Sequence, residues 1–417
     1  MFAPDLLSAI RARFAHVDAC PLTGPRVFFE NAGGALTLNS VVETTARFAA
    51  IPDNQGRANA MSRHLMEVIA KARADMALLL NAPGGQIVLG ESGTEMLYRM
   101  IRTACMGTGA GAVIGSTLEH PASRSAARHW AERSGRDYIA VAHDDATGTV
   151  TAEHYRPHLR PDLAVATILH TSPVTGMGVD VGTIAAAIRA AAPECLIIVD
   201  GIQHAAHGAI DLTAAGVDGY AISPYKMFSR HGYGVAWVSD RLTALPHEAL
   251  TGGPSENWEL GTRDTGAYAT LSDVVAYLDW LGGEVSDATA PRARLEAAGA
   301  AIHAHEHALT EAMLHGTGNH AGLTTLPGVH VIGGIDNPAR EGLVGFWLDG
   351  VASADIVAGL EARGVRVHIR KADHYSGNIL TPLDRPDCVR VSLAHYNSPD
   401  EVARFLDAMQ EISGAAG

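Results

Sequence analysis

Two neighbouring apolar runs in this 417-residue chain stop at residues able to do chemistry. "CLIIVDGIQHAAH" carries Asp200 at the carboxyl end of its run, with Gln203 and His204 in the turn beyond. "AISPYKMFSRHGYG", residues 221–234, carries Ser223, Tyr225 and Lys226 where the next run ends. Continuous apolar runs without alternation read as strands buried on both faces. In an open α/β sheet the carboxyl ends of such strands face the ligand crevice. A carboxylate closing a buried strand is costly unless something cationic meets it. A lysine at the same edge is either a solvated strand end or a reactive amine.

One cofactor uses both groups. Pyridoxal phosphate (PLP) is held through its aldehyde by a lysine as a Schiff base, and a carboxylate keeps its pyridine nitrogen protonated so that the ring accepts electrons. It also needs an anion site. "GESGTEMLYRM" offers Ser92, Gly93 and Thr94 ahead of a helical pattern, whose free N–H groups and dipole favour a phosphate. "STLEHPASR" sets His120 just past the apolar "GAVIGS", where an imidazole can stack on a flat ring. Alone, each feature is ordinary: a helix cap, a satisfied histidine, a strand-end aspartate. Their joint presence in this order is not.

The elements that must position these residues alternate from about residue 60 to 245. "MSRHLMEVIAKARADMALLLNA" has helical spacing and ends at Pro83-Gly84-Gly85; "QIVLG" is a strand; "TEMLYRMIRTACM" places Leu97, Met100, Ile101 and Ala104 on one face. "GAVIGS", "DYIAVA", "LAVATILHTS", "ECLIIVDG", "DGYAIS" and "GVAWVSD" follow as buried strands, with helices such as "VGTIAAAIRAAAP" between several of them. This predicts an α/β doubly wound, mainly parallel sheet. After residue 285 a long Ala/His/Glu-rich helix leads into "GVHVIGG", "EGLVGFWLDG", "VRVHIR" and "CVRVSLAHYN", a smaller α+β unit. Its last helix opens on "SPDE", with Ser398 as N-cap, Pro399 at the first helical position and Glu401 completing a capping box. The expected division is a large unit over 1–285 and a small one over 286–417, with the N-terminal segment free to pack on the small one.

Bulk properties exclude several classes. With 47% hydrophobic and 18% charged residues the chain is globular rather than disordered. A formal charge of −14 argues against nucleic acid or an anionic membrane as partner. The apolar runs are too short to span a bilayer, and "MFAPDLLSAIRARFAHV" reads as an amphipathic first helix rather than a signal peptide. Cys20, Cys105, Cys195 and Cys388 form no CxxC pair, so neither a disulfide framework nor a thiolate zinc site is expected; the default location is cytoplasmic. No HExxH or similar spacing organises the 21 histidines around a metal. "GTGAGAVIG" mimics a dinucleotide fingerprint, but that motif needs a strand before it and a helix after it, and here the order is reversed.

The motifs "SGTE", "EHPASR", "VDGIQH", "SPYK" and "WELGTRDTG" resemble, in that order, the class V aminotransferase family, which includes the cysteine desulfurases. The similarity runs from "VFFENAGGA" to "VRVSLAHYNSPDEV", nearly the whole chain. The resemblance implies the PLP-dependent transferase fold type I. It makes Lys226 the Schiff-base lysine, Asp200 the pyridinium partner, Gln203 a donor to the ring hydroxyl and His120 the stacking ring. Thr94 and Ser223 would hold phosphate beside Ser92 and Gly93, with Tyr225 in the cofactor wall. Thr262 matches a residue that reaches the phosphate of a neighbouring subunit, which implies a homodimer with shared sites. Arg390 matches the arginine that clamps the substrate carboxylate.

Departures from the desulfurases matter as much. Those enzymes carry a nucleophilic cysteine on a loop before the last strand, and "VRVHIRKADHYSGNILTPLD" has none. Tyr225 stands where they have histidine. Pro173 in "HTSPVTG" stands where they usually have asparagine and is closer to isopenicillin-N-epimerase-type relatives, whereas Gln203 follows the desulfurases. The expected function is PLP chemistry at the Cα of an amino acid, by transamination or β-elimination. Epimerisation, cysteine desulfurization and a non-catalytic PLP-fold binder remain as alternatives. Asn31 joins the substrate-binding candidates. "HIRKADHY" adds His368, Arg370, Lys371 and His374, read either as a solvated basic loop or as recognition of a second acidic group.

Overall fold

The computed structural model describes residues 1–416. Seven strands form the main sheet: β1 (Gln86–Gly90), β2 (Ala112–Ser116), β3 (Tyr138–Val141), β4 (Leu163–Leu169), β5 (Leu196–Asp200), β6 (Gly219–Ile222) and β7 (Gly234–Val238). Their spatial order is β1-β7-β6-β5-β4-β2-β3. Strands β2 to β6 pair in parallel, while β7 runs antiparallel to both β6 and β1. The reversal has a simple cause. The β6–β7 connection contains only a one-turn helix, Pro224–Lys226, too little to carry the chain back across the sheet, so β7 returns beside β6 as a hairpin partner would. The central strands β5 and β6 are buried at every residue, as their apolar runs require. Edge strand β3 is not: Ala140 is exposed and Tyr138 and Ile139 are half-buried, because only β2 flanks it.

Helices cover the sheet. The first, α1 (Pro4–Arg11), buries Leu7 and Ile10 on one face. The long helix α2 (Ala60–Leu79) starts at Asn59, whose side chain accepts from the Ser62 N–H at 2.7 Å. It packs on α6 (Thr265–Val285), which packs in turn on α7 (Pro291–His315). Helices α3 (Gly93–Gly107), α4 (Pro121–Arg133) and α5 (Val181–Ala191) follow β1, β2 and β4. Between α3 and β2 lies "GTGAGAVIG", a helix end and turn in which Gly111 has φ +156° and a Cβ would fall 2.4 Å from the Asp162 carbonyl oxygen. Helix precedes and strand follows, the reverse of a dinucleotide site.

A four-stranded antiparallel sheet, ordered β8 (Val329–Val331), β9 (Leu343–Leu348), β11 (Asp387–Ser392), β10 (His368–Lys371), carries α8 (Ser353–Ala362) and α9 (Pro399–Ala416). Val344, Phe346, Leu360, Val389, Val391 and Phe405 build its core. Val27 and Phe29 enter the same core, and Val27–Phe28 pairs in parallel with Val365–Arg366. The capping box forms: Ser398 Oγ accepts from the Glu401 N–H at 3.2 Å and Glu401 Oε2 from the Ser398 N–H at 2.9 Å. Among the described residues no helix is long and apolar enough to cross a membrane.

Candidate active site

Strands β5 and β6 are parallel neighbours, so their carboxyl ends open at one edge, with Asp200 in register with Ala221. Asp200 is buried, and its carboxylate accepts from the Ile202 N–H at 3.1 Å. Burial pushes that carboxyl up to about 6, against the Ile202 bond and the nearby Lys226 charge. Lys226 lies in the single helical turn after β6 and is half-buried. Burial, then the Arg390 charge, push its amine down to about 8, against the pull of Asp200. Its Nζ donates to Gln203 Oε1 at 3.2 Å. Burial thus moves the two groups' protonation equilibria toward each other, and no cation is in contact with the Asp200 carboxylate among the described residues.

The expected phosphate end forms at the start of α3. Ser92 caps that helix, its Oγ accepting from the Glu95 N–H at 3.1 Å. A Cβ on Gly93 would lie 2.5 Å from Ser223 Oγ and 2.6 Å from Ile202 Cδ1. One on Gly234 would lie 2.1 Å from the Ser92 carbonyl carbon. The turns after β1, β5 and β6 thus converge on the α3 N-terminus through two residues that have no side chain. Thr94 is exposed in the first turn of α3. Thr262 is exposed too, and lines a separate surface cleft with Asp53, Gln55 and Asp264 rather than this turn.

His120 caps α4, with Nδ1 accepting from the Ala122 N–H at 3.1 Å. Burial lowers its imidazole to about 3, and the charges of Lys226, Arg370 and Arg124 add to the shift. The ring is neutral, with Tyr375 6.0 Å away between centroids. Tyr225 stacks on His231 at 4.2 Å, and burial raises its hydroxyl despite a hydrogen bond with Ser223.

Behind Gln203 stands a network that local reading of the sequence missed. Gln203 Nε2 lies 3.1 Å from His207 Nε2, and His207 Nδ1 lies 2.6 Å from Glu306 on α7. Burial disfavours the His207 charge, yet Glu306 outweighs it and raises the imidazole. Beside them His204 stacks on His170 at 3.5 Å and contacts Glu341 at 2.8 Å. The available signal was a second histidine four residues after Gln203 and a glutamate on the apolar face of the histidine-rich helix.

The opposite wall comes from the small sheet. Along β11 alternation sends Val389 and Val391 into the small core and leaves Cys388, Arg390 and Ser392 facing the other way. Arg390 is buried, and Nη1 donates to the Pro173 carbonyl at 3.2 Å. A Cβ on Gly33 would touch Arg390 Nη2 at 3.6 Å, so "ENAGGA" lies against it. Asn31 is held by hydrogen bonds within the fold. Its amide nitrogen is used by the carbonyls of Ser392 (2.8 Å) and Phe28 (3.2 Å) and by Asn397 Oδ1 (3.2 Å), and its oxygen accepts from the Tyr396 hydroxyl. No donor is left for a ligand, so Asn31 ties the N-terminal segment to β11. The basic segment splits: Lys371 and His374 are exposed, whereas Arg370 and His368 are partly buried, His368 lying 3.3 Å from Glu30.

A flat phosphorylated aldehyde with a protonatable ring nitrogen fits this donor set, with a lysine whose amine is more easily freed than usual, a buried carboxylate, a neutral imidazole and a glycine-lined helix N-terminus on one rim. Among the described residues no cluster of three metal-binding side chains occurs. The chain is similar to a "Probable cysteine desulfurase" of Xylella fastidiosa (strain Temecula1), 27% identical with 96% of this chain and 93% of the relative covered. It is also similar to the "Cysteine desulfurase-like protein ustD" of Aspergillus flavus, 26% identical over 94% and 88%. In fold it matches the apo cysteine desulfurase of Thermococcus onnurineus NA1 (TM-score 0.83, 20% identity, 100% and 99% covered). It matches the cysteine desulfurase CsdA of Escherichia coli as well (TM-score 0.79, 22% identity, both chains fully covered at 100%). These likenesses support the α/β architecture of PLP-dependent fold type I. The family model "Aminotransferase class-V" matches residues 27–405, and the chain belongs to that family.

Proposed function

We propose that this enzyme binds PLP through Lys226 and acts at the Cα of an amino-acid substrate, as an aminotransferase or a β-eliminating lyase. The observation that carries the reading is the placement of Lys226 and the buried Asp200 at adjacent strand ends, where burial disfavours both charges. When bound, PLP supplies an electron sink for bonds broken at Cα. Asp200 holds the proton on the ring nitrogen, His120 covers one ring face, and Gln203 donates to the ring hydroxyl. Ser92, Gly93, Thr94 and Ser223 hold the phosphate at the α3 N-terminus. Thr262, exposed on its own chain, completes a neighbour's phosphate site in a cytoplasmic homodimer. Arg390 takes the α-carboxylate in a two-pronged contact. Lys226 would also serve as the group that carries the proton to and from Cα. Residues 1–285 then form the cofactor unit and 286–417 the substrate-clamping unit.

Sulfur transfer from cysteine fits poorly. Residues 365–380 contain no cysteine, and Cys388 is fully buried with its thiol pushed up to about 12 by burial. Borohydride reduction of the purified holoenzyme followed by peptide mapping tests the core of the reading. The pyridoxyl mass is expected on the peptide holding Lys226, and label on any other lysine overturns the assignment.

A further inference from the structure

The substrate side of the cleft holds more positive charge than one amino-acid carboxylate requires. In the β10–β11 ladder His368 faces Arg390 and Arg370 faces Cys388, so these four side chains share the face turned away from the small core. Neither arginine has an ion-pair partner among the described residues. The Arg370 guanidinium makes one hydrogen bond, from Nε to the buried Ser376 Oγ at 2.8 Å, which fixes the fork and leaves both terminal nitrogens unused. Arg390 makes one, to Pro173, and its Nε is buried without a partner. The nearest acidic side chains make their direct contacts elsewhere, Glu30 with His368 at 3.3 Å and Asp373 as acceptor from the Tyr375 N–H at 2.8 Å, and act on the arginines only through space.

Partly desolvated cations without anions are costly, and a chain of net charge −14 has carboxylates to spare. Here Asp373 and Glu30 stand near enough to favour the charges on Arg370 and Arg390, yet neither makes contact, which leaves both guanidinium forks open to anions from outside. On the reading above, the cofactor's phosphate goes to the α3 N-terminus and its ring cation to Asp200, and an α-carboxylate satisfies Arg390. Arg370 is left over. Diffuse basicity does not explain it, because the same segment leaves Lys371 and His374 in solvent and turns Arg370 inward beside Tyr375, 5.7 Å from that ring centroid. We infer that Arg370 binds the second carboxylate of a dicarboxylic amino acid, so that the substrate is acidic and is gripped at both ends by Arg390 and Arg370.

This inference rests on the proposed PLP chemistry, and unreactive ligands separate the two. Calorimetric titration of the holoenzyme with succinate and with butyrate compares two acids with one, at equal chain length and without an amine. Succinate is expected to bind tighter by about tenfold or more, the worth of one charge-assisted contact. Arg370→Gln should bring succinate down to the butyrate level and leave butyrate binding and the bound-cofactor absorbance in place. Arg390→Gln should weaken both acids. Lys371→Gln, an exposed neighbour, should keep the preference, and if it abolishes it the effect is general electrostatics and the inference fails. Equal affinities in the parent enzyme, or a preference that survives Arg370→Gln, likewise overturn it. Pyridoxyl label on Lys226 without a succinate preference sinks this inference alone. A preference without that label sinks the PLP reading and spares the paired arginines.

Discussion

Replacing Gly234 with alanine tests whether the α3 N-terminus is the cofactor's anchor. Gly234 opens β7 in register with Gly90, and its missing Cβ would sit 2.1 Å from the Ser92 carbonyl carbon and 2.4 Å from both the Gly93 nitrogen and the Ser92 oxygen. All three are backbone atoms, so no side chain can rotate out of the way. Ordinary contact begins at 3.4 Å, and the difference of 3.4 − 2.1 Å obliges the Ser92–Gly93 peptide to retreat by 1.3 Å. Overpacking of this kind costs on the order of 1–3 kcal/mol. Displacing a binding group by about 1 Å can cost as much as a hundredfold in function. Gly234→Ala should therefore melt lower and bind PLP at least about tenfold more weakly, read from absorbance of the bound cofactor during equilibrium titration. Gly109→Ala is the control, since a Cβ there meets nothing within 4 Å. A Gly234→Ala protein with parental melting and cofactor affinity would refute the placement of the anchor.

Two other outcomes follow. Burial alone would raise Glu341, but His204, His207 and His170 outweigh it and hold the carboxyl down to about 2 from 4.5. A shift of that size is on the order of 3 kcal/mol, present above the unfolded pKa near 4.5 and lost as pH falls toward 2. Glu341→Gln should unfold in less urea at pH 7, with the gap to the parent narrowing between about pH 5 and 2, and a gap independent of pH would remove the charge argument. Incubation with cysteine should leave no persulfide on any of the four cysteines by intact mass, and a stable persulfide on Cys388 with brisk sulfide release would restore the desulfurase assignment.

Local signals were legible where chain-neighbour physics decides. The apolar runs marked the strands of the main sheet because burial on two faces leaves no alternation to misread, and "SPDE" marked the α9 cap because both partners lie within one turn. The direction of β7 was not legible, since it depends on what the 223–233 connection can span rather than on the strand's own residues. Asn31 is instructive in another way. Its type suits a substrate contact as well as a structural tie, and only the arrival of Ser392 and Asn397, more than 350 residues later, consumes its amide. The Gln203–His207–Glu306 chain was hidden for the same reason: it joins the turn after β5 to α7 across 99 residues. In "HIRKADHY" composition could not sort Arg370 from Lys371. Strand parity on β10 and pairing with β11 do so, because adjacent residues of a strand face opposite ways.

Burial is the first cause of the shifts at Asp200, Lys226 and His120 alike, and it acts in opposite directions on the acid and the bases. The cleft therefore disfavours each charge that the enzyme has to use. Arg370 and Arg390 cannot respond by losing a proton near neutral pH, so their unpaired guanidiniums push Lys226 further toward the free amine. An arriving anion reverses that pressure. A carboxylate on Arg390 cancels the larger of the two repulsions and a second on Arg370 the other, so an acidic substrate should raise the proton affinity of Lys226 at the moment it has to collect a proton from Cα. On the proposed roles of these residues, substrate charge and Lys226 basicity would be coupled through space, with no moving part required. A monocarboxylic amino acid would leave Arg370 uncompensated and so engage the base only partly. Selectivity for acidic substrates should therefore be seen in the rate of Cα proton exchange with deuterated solvent as well as in binding.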